Sequence, residues 1–293
     1  MASMGRHVVV GVDDSDNCLI AVDAAAAEAA LRRLPLHVVH AAVHAAVHAA
    51  VHADSFAAAH SGAAQPPEPG RWVDRAVRRA EAGHPGLTVT GEVARGRPCP
   101  VLVAASRDAE LVVIGDRGLG ALARALVETV AGGLVMRASC PVLVTRGPGD
   151  PDGPIAVGVD GSADSQSAAG FAFAEADLRG RRLAVVHAWT RPEPQMPGSV
   201  MPGAIVPGTA VSVRIGAEQL VSEASAGWCE KYPDVAVSEV LVHGYPRHAL
   251  VDAGESASLM IVGAGGRTTT AGLGPVSRHL VYRAPCPVVV VPR

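Results

Sequence analysis

Short apolar runs alternate with longer segments of helical period along this chain, and the pattern occurs twice. In the first half, His7–Val12 is rich in β-branched residues and predicts a strand. Asp16–Arg33, rich in alanine, predicts a helix, and Leu36–Ala41 a second strand. Arg71–Ala82 carries Trp72, Val73, Ala76, Val77 and Ala80 on one helical stripe. Leu87–Ala94 alternates as a strand does. Pro98–Arg107 predicts a helix with proline near its start, Glu110–Gly115 a strand, Ala121–Arg137 a helix and Pro141–Thr145 a closing strand. The second half reads the same way and ends on Pro287–Val291. Apolar strands alternating with helices predict parallel sheets covered on both faces. The expected fold class is therefore α/β, with two repeated, doubly wound, five-stranded domains.

The repeat is explicit in the residues. Val9–Asp13 recurs as Ala156–Asp160 and Val38–Ala41 as Val185–Ala188, each 147 positions on. Gly96 matches Gly244, and Val113–Gly115 matches Ile261–Gly263, each at 148. Cys140–Val142 matches Cys286–Val288 at 146. Five landmarks in one order mark two copies of a single unit. The domains are expected at 1–148 and 153–293, joined by the turn-rich stretch Arg146–Gly153.

Composition narrows the function classes. Of the 293 residues 49% are hydrophobic but only 3% aromatic, so the cores are expected to be Val, Leu, Ile and Ala. Lys and Arg number 25 against 28 Asp and Glu, which leaves no basic surplus for a phosphate backbone. Nucleic acid is not an expected partner. No apolar run reaches the ~18 residues of a membrane span, and the amino terminus lacks a signal peptide's apolar stretch. Cys18, Cys99, Cys140, Cys229 and Cys286 are scattered and form no C-x-x-C, as in a reduced compartment. A cytoplasmic protein is expected.

Ligands of such sheets bind at the carboxyl ends of the strands, where the winding reverses. Three segments of each copy meet there. They are Asp13–Ser15 or Asp160–Ser162, Val39–Ala41 or Val186–Ala188, and the glycine-rich turns Gly115–Gly120 or Gly263–Gly266. A glycine turn entering a helix lets backbone N–H groups approach an anion, although glycine after a strand is also an ordinary turn. Asp13 and Asp160 suit either ligand binding or helix capping. Arg117 and Arg267 either screen phosphate or sit solvated in loops. His40 and His187, at matching strand ends, read as structural.

The order of these segments resembles the universal stress protein family in its tandem, two-domain form. The features that carry it are G-V-D-x-S at Gly11–Ser15, V-H-A at Val39–Ala41 and Val186–Ala188, the G-x-x-G turns, G-P-V-S at Gly274–Ser277 and the closing C-P-V segments. The resemblance covers nearly the whole chain. It implies adenine-nucleotide binding, ATP with Mg included, and a stress-sensing or regulatory role. It also implies that Val142–Thr145 pairs with Val288–Val291, and leaves a homodimer open. The implied nucleotide site takes in Asp13, Ala41, Gly115, Arg117, Gly118, Thr129 and Val130 in the first copy. In the second it takes in Asp160, Ser162, Ala188, Gly263, Gly266, Arg267, Gly274, Val276 and Ser277. The motif departs from the family differently in each half. After Gly115-x-x-Gly118, Glu128 stands where glycine is expected, and Ala131 supplies no hydroxyl. After Gly263-x-x-Gly266, Gly274 follows seven residues on instead of nine, and Pro275 replaces a hydroxyl residue. A module of the same fold without nucleotide is the alternative reading.

His40, His44, His48 and His52 recur at fours, a spacing that can chelate metal on a helix, but the V-H-A-A unit also reads as a simple sequence duplication. No metal is expected. No G-x-S-x-G elbow, P-loop or special carboxylate pair occurs, so an enzyme is not expected, slow ATP hydrolysis remaining open.

Overall fold

The computed structural model describes residues 6–13, 15, 18–42, 69–115, 130–190, 209–266 and 272–293. The chain divides into two compact units, Met1–Arg146 and Gly147–Val291.

The first unit contains β1 (His7–Val12), α1 (Cys18–Arg32), β2 (Leu36–Ala42), α2 (Pro69–Gly83), β3 (Val89–Arg95), α3 (Pro98–Ala105), β4 (Ala109–Gly115) and β5 (Val142–Thr145), with helical residues at 130–135. Its strands lie in the order β3-β2-β1-β4-β5, all parallel. The second unit contains β6 (Ile155–Gly158), α4 (Ala163–Arg179), β7 (Leu183–Trp189), α5 (Thr209–Lys231), β8 (Val237–His243), α6 (Pro246–Glu255), β9 (Leu259–Gly263), α7 (Pro275–Arg283) and β10 (Val288–Val291). Its order is β8-β7-β6-β9-β10, again parallel. Both sheets are doubly wound, and the first strand of each unit lies where the winding reverses.

The sequence pattern explains the layers. β1, β5, β6, β9 and β10 are nearly continuous apolar runs and almost wholly buried, as parallel strands covered on both faces must be. β3 and β8 are more polar and more exposed. α1 lays Ala21, Val22, Ala25, Ala26 and Ala29 on its sheet, and α4 lays Ala168, Ala169, Ala172, Phe173 and Ala176. The alanines among them let helix and sheet approach closely. Each helix also pairs a buried glutamate with an arginine one turn later, Glu28 with Arg32 and Glu175 with Arg179.

The prolines refine two expected boundaries. Pro141 and Pro287 precede β5 and β10 instead of opening them, since proline has no ladder N–H. Their carbonyls still accept from Val112 and Met260. Another refinement is aromatic. Phe173, Trp228 and Tyr232 stack at 6.3–6.5 Å between α4 and α5, so the second unit is not built from aliphatic layers alone.

Candidate functional site

The carboxyl ends of the strands are built alike in both units. Asp160 follows β6, and its Oδ1 accepts from the Ser162 N–H at 3.0 Å and the Ser162 hydroxyl at 2.6 Å. Asp13 makes the same two bonds with Ser15, at 3.0 and 2.6 Å. This is an Asx turn, in which the side chain imitates a backbone acceptor. The helix cap is the serine. Ser162 Oγ accepts from the Ser165 N–H at 3.2 Å and opens α4. The aspartates shape the strand-to-helix corner, and the capping that is one of the two readings of Asp160 falls to its neighbour Ser162.

The histidines are structural as well. His187 Nδ1 lies 2.8 Å from the Val159 carbonyl, and His40 Nδ1 lies 3.0 Å from that of Val12. A carbonyl only accepts, so Nδ1 donates in both. Each ring ties the end of the second strand to the end of the first.

In the second unit these ends border a small cleft of about 70 Å³. β6 contributes Gly158 and the following Val159 and Asp160, and β7 contributes Val186, His187 and Ala188. Val262, Gly263 and Gly265 come from β9 and its turn, and Val276 and Ser277 from the start of α7. Of the expected residues, Asp160, Ala188, Gly263, Val276 and Ser277 are thus brought together. Ser162, Gly266 and Gly274 stand beside them. Gly266 lies close to Asp160, where an added Cβ would be 3.1 Å from Oδ2, and Gly274 caps α7 without a side chain.

α7 points its amino terminus into this cleft. Its first-turn N–H groups have no acceptor inside the helix. Together with the helix dipole they favour an anion. Pro275, at N1, removes one donor. The Ser277 hydroxyl donates to the Gly263 carbonyl at 2.6 Å, fastening α7 to the end of β9. That oxygen can still accept, but its proton is committed.

The glycines have a second reason to be there. A Cβ on Gly263 would stand 2.6 Å from the Asp164 carbonyl oxygen, and one on Gly265 would collide with the Asp164 carboxylate and the Arg293 guanidinium. The turn is glycine-rich partly because α4 packs against it.

Pro246, Leu250 and Ser165 also line the cleft and lie outside the segments expected there, whereas Gly265 belongs to the expected glycine turn. A signal existed for the first two. Gly244, known only as a repeat landmark, has φ +152° and turns the chain into α6, as Gly96 with φ +139° turns it into α3. Each is followed two residues on by the proline that opens the helix.

In the first unit the structure places Asp13, Ala41 and Gly115 at strand ends, half-buried. Val130 is helical and half-buried, and Ala131 is buried. Arg117, Gly118, Glu128 and Thr129 lie outside the described residues, as do Arg267 in the second unit and His44, His48 and His52. Among the described residues no three His, Cys, Asp or Glu gather as a metal site, and no helix is long and apolar enough to cross a membrane.

Residues 4–146 and 153–292 each match the universal stress protein family. A universal stress protein of Mycobacterium tuberculosis is 39% identical over 294 residues, spanning 97% of this chain and 96% of the relative. A second from the same species is 35% identical over 304 residues, spanning 97% and 95%. A crystal structure of a universal stress protein from Archaeoglobus fulgidus covers 99% of this chain and 97% of its own, with TM-score 0.65 at 17% identity, a likeness of fold.

Proposed function

The chain belongs to the universal stress protein family, and from that premise we propose that it binds an adenine nucleotide, ATP foremost, in the cleft of its second unit. The observation that carries this reading is the convergence of an open helix amino terminus, Val276 and Ser277, with the glycine turn and Asp160 at the carboxyl edge of a parallel sheet. The helix would receive phosphate, and Asp160 and Ala188 would lie toward the nucleoside.

The role is that of a nucleotide-responsive regulator of the stress response, not of an enzyme. The two titratable groups lining the cleft are committed to structure, Asp160 to Ser162 and His187 to Val159. Neither is placed to activate water. A cytoplasmic setting agrees with five free cysteines.

Mass spectrometry of small molecules released from gently purified protein tests the reading, with calorimetric titration of Mg-ATP alongside. About one adenine nucleotide per chain is expected, with weaker binding in Asp160→Ala. No copurified nucleotide and no heat at millimolar ATP would reject it. The second reading, a module of this fold without nucleotide, draws on Pro275, on the committed Ser277 proton and on Glu128 in the first copy.

A further inference from the structure

The described residues that line the cleft of the second unit lack the charge that its proposed ligand needs. Among the described residues lining it, Asp160 is charged and none is Lys or Arg. The amino terminus of α7 brings partial positive charge only. A guanidinium nevertheless stands just behind one wall. Gly265 lines the cleft, and any side chain there would collide with the guanidinium of Arg293. Arg293 lies two residues beyond β10, and its Nε donates to Asp164 Oδ2 at 2.8 Å. The arginine side chain is 42% exposed, the aspartate 12%. Asp164 sits in the first turn of α4, where the helix dipole already favours its charge. The dipole offsets part of the cost when this buried carboxylate loses its cation. A phosphate group carries more charge than a carboxylate and matches the fork of a guanidinium.

We infer that Arg293 is the phosphate-neutralising residue of this cleft, exchanging Asp164 for phosphate oxygens when a nucleotide lies over Gly265. This rests on the nucleotide reading above and adds which part of the ligand the protein discriminates, namely the phosphate chain. Gly265 then has a functional reason as well as a packing one. Even the smallest side chain would stand between the guanidinium and the ligand.

The test is calorimetric titration of adenosine, AMP and ATP into the full chain and into Arg293→Gln, Arg293→Lys and Asp164→Asn. Losing one charge-assisted contact is expected to weaken ATP about tenfold in Arg293→Gln and to leave adenosine unchanged. Arg293→Lys retains most of the ATP affinity. Asp164→Asn removes the competing carboxylate and tightens ATP. A merely structural ion pair would move Arg293→Gln and Asp164→Asn in the same direction and for all three ligands. That outcome, or wild-type ATP affinity in Arg293→Gln, overturns the inference and leaves nucleotide binding intact. A wild-type chain that binds none of the three overturns the nucleotide reading, and this inference with it.

Discussion

Asp23 and Gly170 hold the same place in the two units, 147 residues apart, on the first helix of each. In the first unit, Asp23 forms a two-pronged ion pair across to α2, with Arg79 Nε at 2.8 Å and Nη2 at 2.7 Å. In the second, the missing side chain admits the Trp228 ring of α5, which a Cβ at Gly170 would strike. Trp228 stacks with Phe173 and Tyr232, and the Lys231 ammonium lies 5.3 and 5.0 Å from the Trp228 and Tyr232 rings. One seam is thus a solvated charge pair and the other an aromatic stack. The strand ends did not diverge in this way. The Asp–Ser turn and the His–carbonyl tie are the same in both copies within about 0.2 Å. Duplication has kept the wiring of the carboxyl edge and relaxed the helix-to-helix seams.

The sharpest way to break this comparison is to move a residue across it. Gly170→Asp, which gives the second unit its twin's residue, is expected to cost about 3 kcal/mol by overpacking the Trp228 site. Urea unfolding followed by tryptophan fluorescence would read the loss. A midpoint equal to that of the wild type would contradict the geometry.

Next in size is an alkaline effect shared by both units. Burial pushes the Cys140 thiol up to about 12 and the Cys286 thiol up to about 11, from an ordinary 9.0. The folded state therefore holds these protons more tightly than the unfolded chain. The associated stability is complete below about pH 9 and is lost as pH rises toward 11–12. Denaturation midpoints should fall through that window, and less so in Cys140→Ala and Cys286→Ala. In alkylation at pH 8 the exposed Cys229 should react well before either.

A smaller effect concerns how the first helices end. α4 closes on Gly180 at φ +58°, a left-handed residue that suits glycine. Its counterpart after α1 is Arg33, at φ +55°. Arg33→Gly is expected to stabilise the first unit by about 0.5–1 kcal/mol, and Gly180→Ala to destabilise the second by a similar amount. Thermal melts of the two variants should shift in opposite directions. The smallest effect belongs to Asp23→Ala. The Asp23–Arg79 pair is well exposed, and its loss should leave the melting temperature close to that of the wild type at high salt. A large drop would mean that the seam depends on its charges.

Much of this architecture was legible in the residues. The first strand was read at its true limits, because a run of β-branched residues between polar ones leaves few alternatives. Other described boundaries moved by at most two residues, as when β3 began at Val89 and not at Leu87. The strand ends of the site were legible because the repeat marked them twice. Three things were hidden. Pro246 and Leu250 reach the cleft through the turn of α6, which Gly244 and Pro246 signal locally without telling which site it faces. Asp160 and Ser162 divide turn and cap between them, and residue type alone cannot assign those roles. The closeness of Asp164 to Gly265 and Arg293 joins it to positions more than a hundred residues away. The glycines of that turn looked like a cradle for phosphate, and part of their reason is the bulk of α4.

The differing seams also bear on how a doubled chain reaches its native state. Two copies that share strand sequences as similar as Val9–Asp13 and Ala156–Asp160 invite helices to dock on the wrong copy during folding. Asp23 against Gly170 penalises that exchange. If α1 settled in the place of α4, it would thrust a carboxylate into the space that Trp228 fills, without the Arg79 that pairs with it. Such an exchange would bury an unpaired charge, a cost that native docking of each helix avoids.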